Sequence, residues 1–576
     1  MKTARVRKDP LAVRLPAGRS KLLLFGLFCA YGALVVRVGY LQGGWNTRFL
    51  QRQGEARYAR TLSEAATRGS IYDRNGVVLA TSVPARAIWA NPADFDANAR
   101  QRAELARLLG MRVSDLDRRV SESDRAFVYL RRQLDPVVAK KIAALQIPGV
   151  HAAREYRRQY PEGPVTSQLL GFTGVDGRGQ EGVEREYEGV LRGHPGLHHI
   201  IEDKLGNTIE DDWLHRPEQG GNISLAIDDR IQYIAHAAIA QAVQANAAKA
   251  AAAVVLDART GELLALANWP DFDPAHRERM RPDAIRDRAV TDTFEPGSTM
   301  KPFSIATAIQ DGIVRPTTSI DTGNGTFRLG GHTIRDAERH DEILSVAQVV
   351  EKSSNVGTAK IALRMQARSL WETLTAVGFG QVPHAHLPGA VAGRLRPPGT
   401  WRPVEQATIA YGYGVSVSLL QLAHAYLVFA RHGDIVPVSI LRRDTPPVGV
   451  QVLRPDIVVK MRRMLELVTS DQGTAPKARI SGYRVAGKTG TARKIASGRY
   501  TRDYVASFVG LAPASDPRVV VAVMVDSPGN GRIYGGEVAA PAFAAIAAGA
   551  LRAMQVPPDE PISAVDDSAA RNGARG

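Results

Sequence analysis

A long apolar run close to the amino terminus constrains this chain more than any other feature. No charged residue interrupts it from Leu22 to Val36, and with Arg37 near one end it extends to Leu41. A helix rises about 1.5 Å per residue, so about 20 residues cross a hydrocarbon layer of about 30 Å. Basic residues precede the run and only Asp9 opposes them, which favours a cytoplasmic amino terminus. We therefore predict a cytoplasmic tail (1–21), a transmembrane helix (22–41) and a remainder that lies outside the cytoplasm.

The same run also fits a secretory signal peptide, because both begin with basic residues followed by an apolar core. Ala30 and Gly32 are small enough for a cleavage site. Trp45 lies just beyond the run and suits a membrane interface, which favours an uncleaved anchor. We expect a single-pass anchor, with cleavage as the alternative.

Composition argues against several classes of function. The chain has 576 residues and a net charge of +16, but its basic residues are spread out, with neither zinc-finger spacing nor a phosphate-binding loop, so we expect no nucleic acid partner. The single cysteine, Cys29, lies in the apolar run, which excludes an intramolecular disulfide and argues against thiol catalysis. His194, His198 and His199 have the spacing of metal ligands without an acidic or cysteine partner. We expect a solvated loop there, and no metal or cofactor.

A serine and a lysine stand three residues apart after a Pro-Gly break, in the stretch EPGSTMKP (295–302). A helix can begin there, which puts Ser298 and Lys301 on one face of its first turn. A serine hydroxyl needs a neighbouring group to take its proton, and a lysine amine does so only while neutral. The positive end of a helix and a second cation both favour that neutral form. Alone, the spacing also fits a solvated lysine beside an incidental serine.

Two further motifs follow in order and supply what an acyl-transferring serine needs. The motif Ser353-Ser354-Asn355 offers a hydroxyl for proton relay and an amide for holding a carbonyl or the lysine. The motif GKTGTA (487–492) can display an ammonium and a hydroxyl from a strand, and its glycines let a peptide approach as an added strand. Each motif alone also fits a helix cap or a turn. Together, the three predict a serine acyl-transferase.

This ordered trio resembles the signature of the penicillin-recognising acyl-serine transferases. Upstream stretches resemble the sequence boxes of class B penicillin-binding proteins, which simple β-lactamases lack: RGSIYDRNG (68–76), RQYP (158–161) and GFTG continuing to GQEGVE (171–184). The similarity continues through LAID (225–228), YGYG (411–414) and YGG (534–536), and covers roughly residues 68–551. The compact amino-terminal region and overall similarity favour the division-specific branch of the class.

Pattern and resemblance predict the same α+β fold class. Residues 42–218 mix β-like runs (such as 70–80) with helical runs (such as 98–109), and are expected to form an elongated, non-catalytic pedestal domain of the dimerisation type. Residues 219–555 are expected to form the penicillin-binding transpeptidase domain. There we predict a five-stranded antiparallel sheet with covering helices and an inserted helical lobe, from strands at 252–257, 262–268, 483–493, 504–511 and 518–525. A helix at 540–554 closes the domain, and residues 556–576 are expected to be a disordered tail.

The resemblance implies a role for each motif residue. Ser298 attacks the penultimate D-alanine of a stem peptide that ends in D-Ala-D-Ala, and Lys301 accepts its proton. Ser353 and Lys488 pass a proton to the departing amine, while Asn355 orients the donor peptide. An amine of a second stem peptide then attacks the acyl-enzyme, which crosslinks the two peptides. Attack by water instead gives a carboxypeptidase side activity.

The resemblance also implies how substrates and inhibitors bind. Thr489, Gly490 and Thr491 hold the terminal carboxylate or its surroundings, and the N–H groups of Ser298 and Thr491 form the oxyanion hole. β-Lactams mimic D-Ala-D-Ala and acylate Ser298. No Glu-x-x-Leu-Asn box supplies a base for hydrolysing that ester, so inhibition is expected.

Crosslinking at the division septum is the function we predict, with an elongation-specific homologue and a non-catalytic β-lactam sensor or divisome scaffold as alternatives. The expected partners are stem peptides, an FtsW-like glycosyltransferase and other divisome membrane proteins. One departure from the family pattern is Asp287, where asparagine is expected. We expect little effect on catalysis.

Overall fold

The structure is a computed structural model that describes residues 16–42, 59–121, 127–202, 208–496 and 498–561. The chain forms two compact units, one of residues 1–66 with 194–218 and one of residues 67–193 with 219–576. Trp45, most of the predicted cytoplasmic tail and most of the predicted disordered tail lie outside the described residues. The two units divide the chain differently from the predicted pedestal and transpeptidase domains, whose boundaries stay a prediction.

The strands of the described residues are numbered in chain order. They are β1 Ala59–Glu64, β2 Ile71–Tyr72, β3 Val78–Ala90, β4 Val128–Leu134, β5 Val150–Gln159, β6 Gly196–Glu202, β7 Thr208–His215, β8 Ile223–Ser224, β9 Ala250–Asp257, β10 Leu263–Trp269, β11 Ser319–Asp321, β12 Thr326–Leu329, β13 His332–Arg335, β14 Ile343–Ser345, β15 Asp434–Ile435, β16 Val450–Gln451, β17 Ala486–Ala496, β18 Arg499–Ala512 and β19 Val519–Asp526.

The α-helices of the described residues are numbered in the same way. They are α1 Ala17–Gln42, α2 Ala99–Leu109, α3 Val113–Ser121, α4 Pro136–Ala143, α5 Ser167–Leu170, α6 Gly182–Glu186, α7 Glu188–Leu191, α8 Asp229–Asn246, α9 Pro282–Ile285, α10 Arg288–Thr291, α11 Lys301–Gln310, α12 Val346–Glu351, α13 Asn355–Ala362, α14 Ala367–Ala376, α15 Pro403–Ala410, α16 Leu419–Ala430, α17 Pro455–Leu467, α18 Gly535–Val538 and α19 Ala540–Ala553.

The first unit contains α1 and a three-stranded antiparallel sheet in the order β1-β6-β7. Within the described residues, α1 is the one helix long and apolar enough to cross a membrane, which is consistent with a single-pass anchor. It begins at Ala17, five residues before the predicted span, so Arg19 and Lys21 just before the apolar run are also helical.

The histidine prediction is wrong in one respect. His198 and His199 lie in strand β6 instead of a solvated loop, and the His198 ring stacks on Trp213 at 4.8 Å. His194 forms an antiparallel bridge with Glu218. Adjacent side chains of a strand point to opposite faces, so His198 and His199 lie on opposite faces of β6.

The second unit is built around a five-stranded antiparallel sheet in the order β10-β9-β19-β18-β17, which confirms the predicted α+β fold class. Every residue of β9 is buried, because α8 and α19 pack on the sheet and α16 contacts β9, β18 and β19. Gln232 of α8 is fully buried, and its amide exchanges hydrogen bonds with the backbone of Leu266 in β10. The strand β17 stands at one edge of this sheet.

The lobe between β10 and β17 is mostly helical, as predicted, but it also carries three small two-stranded sheets among its described residues. These pair β11 with β14, β12 with β13, and β15 with β16. Short strands of two to four residues are difficult to recognise from alternation alone. The β12–β13 hairpin is relevant to function because the backbone of Arg335, at its end, contacts a motif residue described below.

The upstream sequence boxes meet in a buried ion-pair network. The carboxylate of Glu184 is fully buried and pairs with the guanidinium groups of Arg68 and Arg158, the latter at 2.7 Å. Arg68 also pairs with Glu188 and donates to the Glu184 carbonyl oxygen at 2.6 Å. The carboxylate of Glu184 therefore joins two boxes that lie 116 and 26 residues earlier in the chain, and each supplies the opposite charge that a buried carboxylate needs.

Candidate active site

The nucleophile motif forms a single 3-10 turn, Gly297–Met300, that leads directly into α11. The N–H of Gly297 donates to the carbonyl oxygen of Gly412 at 3.0 Å. A Cβ on Gly412 would lie 2.0 Å from the Gly297 oxygen, so only glycine allows this approach. The hydroxyl of Tyr426 holds the turn from another side, through a carbonyl oxygen at 2.8 Å. Ser298 is half-buried on this braced turn.

Residues of all three motifs contribute to a cluster around the hydroxyl of Ser353. Lys301 is the first residue of α11 and donates to both the carbonyl oxygen and, at 3.1 Å, the Oγ of Ser353. Lys488 reaches the same Oγ at 2.9 Å from β17. Both lysines are fully buried. Ser353 has a φ of +59°, an uncommon conformation for a residue other than glycine, at the junction between α12 and α13.

The two lysines have strongly lowered pKa values. Burial lowers the pKa of Lys301 to about 7, and the carboxylate of Asp336 opposes this shift. Burial first, and then the charge of Lys301, lowers the pKa of Lys488 well below its usual value. Removal from water, with no carboxylate in direct contact among the described residues, therefore favours the neutral amines. From the sequence, we expected a helix end and a second cation to have this effect.

No hydrogen bond joins Ser298 to Lys301 among the described residues. The amine of Lys301 donates to Ser353 instead. Ser298 and Lys301 are linked only by the short stretch of backbone between them. Catalytic hydrogen bonds are often long before substrate binds, so this arrangement is compatible with proton transfer in a complex.

The strand β17 places its polar side chains along the edge of the sheet. Thr489 is nearly buried, and its hydroxyl bonds Lys488 and Thr474 at 3.1 and 3.0 Å. The hydroxyl of Thr491 accepts the N–H of Gly535 at 3.1 Å. A Cβ on Gly490 would lie 2.9 Å from the carbonyl oxygen of the proline that precedes the nucleophile turn. Glycine at this position therefore lets β17 pass directly against that turn.

Asn355 begins α13 beside Ser353, and its amide nitrogen donates to the backbone oxygen of Arg335 at 2.8 Å. It contacts neither lysine in the part of the chain that the structure describes. Ser354 caps α13 by accepting the N–H of Gly357 at 2.9 Å, so the middle residue of this motif is structural.

Asp336 belongs to the site although the sequence argument did not include it. Its carboxylate accepts the hydroxyl of Ser354 at 2.8 Å and the N–H of Val356 at 3.0 Å, which orients the start of α13. Its charge also raises the pKa of Lys301, against the effect of burial. No motif or periodicity in its segment distinguished this aspartate from the other charged residues around it.

The site combines three features that suit acyl transfer: Ser298 on a rigid turn, the buried amines of Lys301 and Lys488, and the edge strand β17. A neutral lysine can accept a proton through a hydroxyl, and an open strand edge can pair with an extended peptide. In the structure, Lys301 and Lys488 both donate hydrogen bonds to the hydroxyl of Ser353. Ser298 lies on the turn that leads into Lys301.

Comparison with known proteins agrees with this chemistry. Residues 251–548 match the penicillin-binding protein transpeptidase domain, and residues 63–225 match the penicillin-binding protein dimerisation domain. Among curated relatives, the chain is 38% identical to the probable peptidoglycan D,D-transpeptidase PenA of Neisseria gonorrhoeae, over 95% of this chain and 94% of the relative. It is also 38% identical to the peptidoglycan D,D-transpeptidase FtsI of Escherichia coli (strain K12), over 97% and 95% of the two chains.

A solved structure, the apo transpeptidase domain of penicillin-binding protein 3 from Burkholderia pseudomallei, is 47% identical with a TM-score of 0.54, over 58% of this chain and 98% of that one. The chain belongs to the class B penicillin-binding proteins, which combine a dimerisation domain with a transpeptidase domain. Within that class it is a peptidoglycan D,D-transpeptidase of the kind represented by FtsI, PenA and penicillin-binding protein 3.

Proposed function

We propose that the enzyme crosslinks peptidoglycan stem peptides at the division septum, through an acyl-serine intermediate on Ser298. The observation that carries the chemistry is the convergence of two buried, unpaired lysines on the Ser353 hydroxyl beside the nucleophile turn. The septal role is supported by similarity to FtsI over nearly the whole chain. This similarity is shared with other class B enzymes, so the cellular role needs its own experiment.

Each motif residue receives a role in this proposal. Neutral Lys301 accepts the proton of Ser298 as it attacks the penultimate D-alanine carbonyl, and the terminal D-alanine leaves as an amine. Ser353 and Lys488 relay the proton to that amine, because the hydroxyl of Ser353 touches both lysines. Asn355 orients the donor peptide.

Substrate binding is assigned to the edge strand β17. Its free edge pairs with the donor peptide as an added strand, while Thr489, Gly490 and Thr491 line the place of the terminal carboxylate. The N–H groups of Ser298 and Thr491 face the developing oxyanion. β-Lactams occupy the same place and acylate Ser298.

The location that we propose is the inner membrane, with α1 as a single-pass anchor, the amino terminus in the cytoplasm and the catalytic domain in the periplasm. The basic residues before the apolar run support this orientation. A cysteine introduced at the exposed Gly531, in a Cys29→Ser background, tests it in intact cells. A membrane-impermeant thiol reagent that can enter the periplasm should label it, and labelling only after lysis of the inner membrane would contradict the orientation.

The partners that we propose are an FtsW-like glycosyltransferase and other divisome membrane proteins. The matched domains are a dimerisation domain and a transpeptidase domain, so polymerisation of the glycan strand is assigned to a separate enzyme. Co-purification of the full-length protein with such a glycosyltransferase, from membranes solubilised in mild detergent, tests the assignment.

Three measurements test the chemistry and the cellular role. Fluorescent penicillin should label the purified protein but not its Ser298→Ala variant, and persistent labelling of the variant would overturn the nucleophile assignment. Labelling without crosslinking of a lipid-linked donor would favour a sensor. Depletion should produce filamentous cells, whereas rounded cells would assign the enzyme to elongation.

A further inference from the structure

Glu295 stands at the beginning of the nucleophile motif and carries a buried carboxylate that is only half satisfied. The residue is 7% exposed. Its Oε1 accepts the N–H of Gly414 at 2.7 Å and, at 3.4 Å, the hydroxyl of Tyr500. Its Oε2 is buried and has no hydrogen-bond partner among the described residues. A buried carboxylate oxygen without a donor is costly, so this position suits a donor that arrives with a ligand.

The surroundings of Glu295 suit a cation. No Lys, Arg or His of the described chain forms an ion pair with it, and burial raises its pKa. A row of tyrosine rings adjoins it, with centroids 5.7 Å apart for Tyr411 and Tyr413 and 6.2 Å apart for Tyr413 and Tyr500. Ring faces combined with one carboxylate are the groups that proteins use to bind ammonium ions.

Two backbone hydrogen bonds also link the carboxylate of Glu295 to the turn that carries the reacting serine. Gly414, which donates to it, lies two residues after Gly412, and Gly412 accepts the N–H of Gly297 in the nucleophile turn. The covering residue, Tyr500, is half exposed and holds the carboxylate only through the long 3.4 Å bond. A ligand can therefore replace the Tyr500 hydroxyl without breaking the bond from Gly414.

We propose that Glu295 binds the ammonium group of the acceptor stem peptide and takes a proton from it, so that a neutral amine attacks the acyl-serine. The inference rests on the proposed role of Ser298 and deepens it by assigning the acceptor a primary ammonium group. The hydroxyl of Tyr500 gives way to this ammonium, while the tyrosine rings pack around it.

The step balances in protons and bonds. The acceptor ammonium gives one proton to the Glu295 carboxylate and becomes an amine. Its nitrogen forms a bond to the acyl carbon, the bond from that carbon to Ser298 Oγ breaks, and the second amine proton passes through Lys301 to Oγ. Glu295 then releases its proton to water. The products are an amide crosslink and a free serine.

Glu295→Gln tests the proposal because it keeps the shape and the acceptor for Gly414 but removes the charge. The full-length protein in detergent is given a depsipeptide donor that ends in D-Ala-D-lactate. A stem peptide with one free amine serves as the acceptor. We measure the rate of aminolysis relative to the rate of acylation by fluorescent penicillin in the same sample. This ratio should fall on the order of 10²-fold, with a higher KM for the acceptor.

A neutral nucleophile separates acceptor binding from a structural role. Hydroxylamine is uncharged at neutral pH and needs no proton acceptor before attack, so its reaction with the acyl-enzyme should be the same in Glu295→Gln as in the parent. Equal loss with hydroxylamine and with the stem-peptide amine would overturn the proposal and leave Glu295 as a brace for the turn. An unchanged ratio would overturn it as well.

Two further variants complete the design. Tyr500→Phe removes the competing hydroxyl but keeps the ring, and it should maintain or raise the aminolysis ratio; a loss as large as that of Glu295→Gln would contradict the assigned displacement. Glu338→Gln is the matched control, since Glu338 is an exposed glutamate of the same lobe. If penicillin also labels Ser298→Ala, the proposed function itself fails, and that result is distinct from any change in the aminolysis ratio.

Discussion

The box network around Glu184 and the lysine cluster around Ser353 both bury charged side chains in the second unit, but they stabilise them in opposite ways. In the network, the buried carboxylate of Glu184 has two guanidinium partners. In the cluster, Lys301 and Lys488 share a hydroxyl, and neither contacts a carboxylate in the part of the chain that the structure describes. In the first region, each buried charged group lies against a group of opposite charge. In the second region, burial favours neutral amines.

The difference shows how buried charges distinguish structure from chemistry in this protein. A paired charge fixes two segments of chain relative to each other. An unpaired buried lysine with a pKa of about 7 can gain or lose a proton under working conditions. The comparison predicts that mutations in the first region change stability and that mutations in the second change rate.

The largest expected effect is that of Lys301→Met. Removal of the amine should lower the rate of acylation by penicillin by about 10³-fold, because the serine loses its proton acceptor. The free energy of unfolding should stay equal or rise, since an unpaired buried cation is costly. Stopped-flow acylation and thermal unfolding measure the two quantities. Lys477→Met, at an exposed lysine, is the control, and a large loss of stability in Lys301→Met would break the comparison.

The second prediction concerns Glu184→Gln. This change leaves the buried Arg158 without its carboxylate and Arg68 with Glu188 alone, and it should lower the free energy of unfolding by about 3–5 kcal/mol. Molecules that remain folded should acylate at the parent rate. Denaturant unfolding combined with active-site titration separates the two outcomes. Glu186→Gln, two residues away and exposed, should change neither, and a rate defect in folded Glu184→Gln would show that the regions are coupled.

The third prediction is the pH dependence of acylation. Only the neutral amine of Lys301 accepts a proton, and its pKa is about 7. The rate should therefore fall about tenfold per pH unit below about pH 7 and level off above it. Acylation rates measured between about pH 5 and about pH 9 test this. A flat profile across that range would mean that Lys301 is already neutral throughout, or that another group takes the proton.

The smallest effect is expected at Asp287, a buried carboxyl with a neutral partner. Its carboxylate accepts the amide N–H of Asn268 at 3.0 Å, and burial raises its pKa from 3.8 to about 7. A raised carboxyl pKa means that the folded state holds its proton more tightly, so stability falls as pH rises through this interval. Asp287→Asn should therefore raise the free energy of unfolding at about pH 8 by about 1–3 kcal/mol.

The control for Asp287→Asn is the same measurement below about pH 4, where the carboxyl is protonated in both states and the difference should vanish. Acylation should be unchanged at either pH, as the sequence argument expected for this position. A stability difference that does not depend on pH would show that Asp287 acts through packing and not through its charge.

Much of the fold was predictable because its elements have strong local patterns. The apolar run gave α1, and alternation gave strands within a few residues of β9, β10, β17, β18 and β19. The two-residue strand β8 and the small sheets of the lobe have too few residues for a periodic signal. The solvated loop predicted for His198 and His199 was wrong, because both residues lie in β6, whose pairing with β1 joins distant parts of the chain.

The motif residues of the site were identified from sequence, but their connections were not. Ser-x-x-Lys suggested a direct contact between Ser298 and Lys301, whereas the amine of Lys301 is held on Ser353. Asp336 could not be found, because an aspartate has no local signature until the fold places it against a motif. Glu295 was visible in the motif, but its unsatisfied oxygen depends on a loop more than 100 residues away.

The sequence by itself determined the reactive groups, the class of enzyme and the order of secondary structure, since these depend on residue type and short spacing. The tertiary structure alone decided the protonation of the lysines and the pairing of the box charges. Both depend on exclusion of water and on neighbours distant in the chain, and a local pattern carries neither. Lys301 is an ordinary lysine in the sequence, and its pKa of about 7 arises only because the fold buries it, with no carboxylate in contact among the described residues.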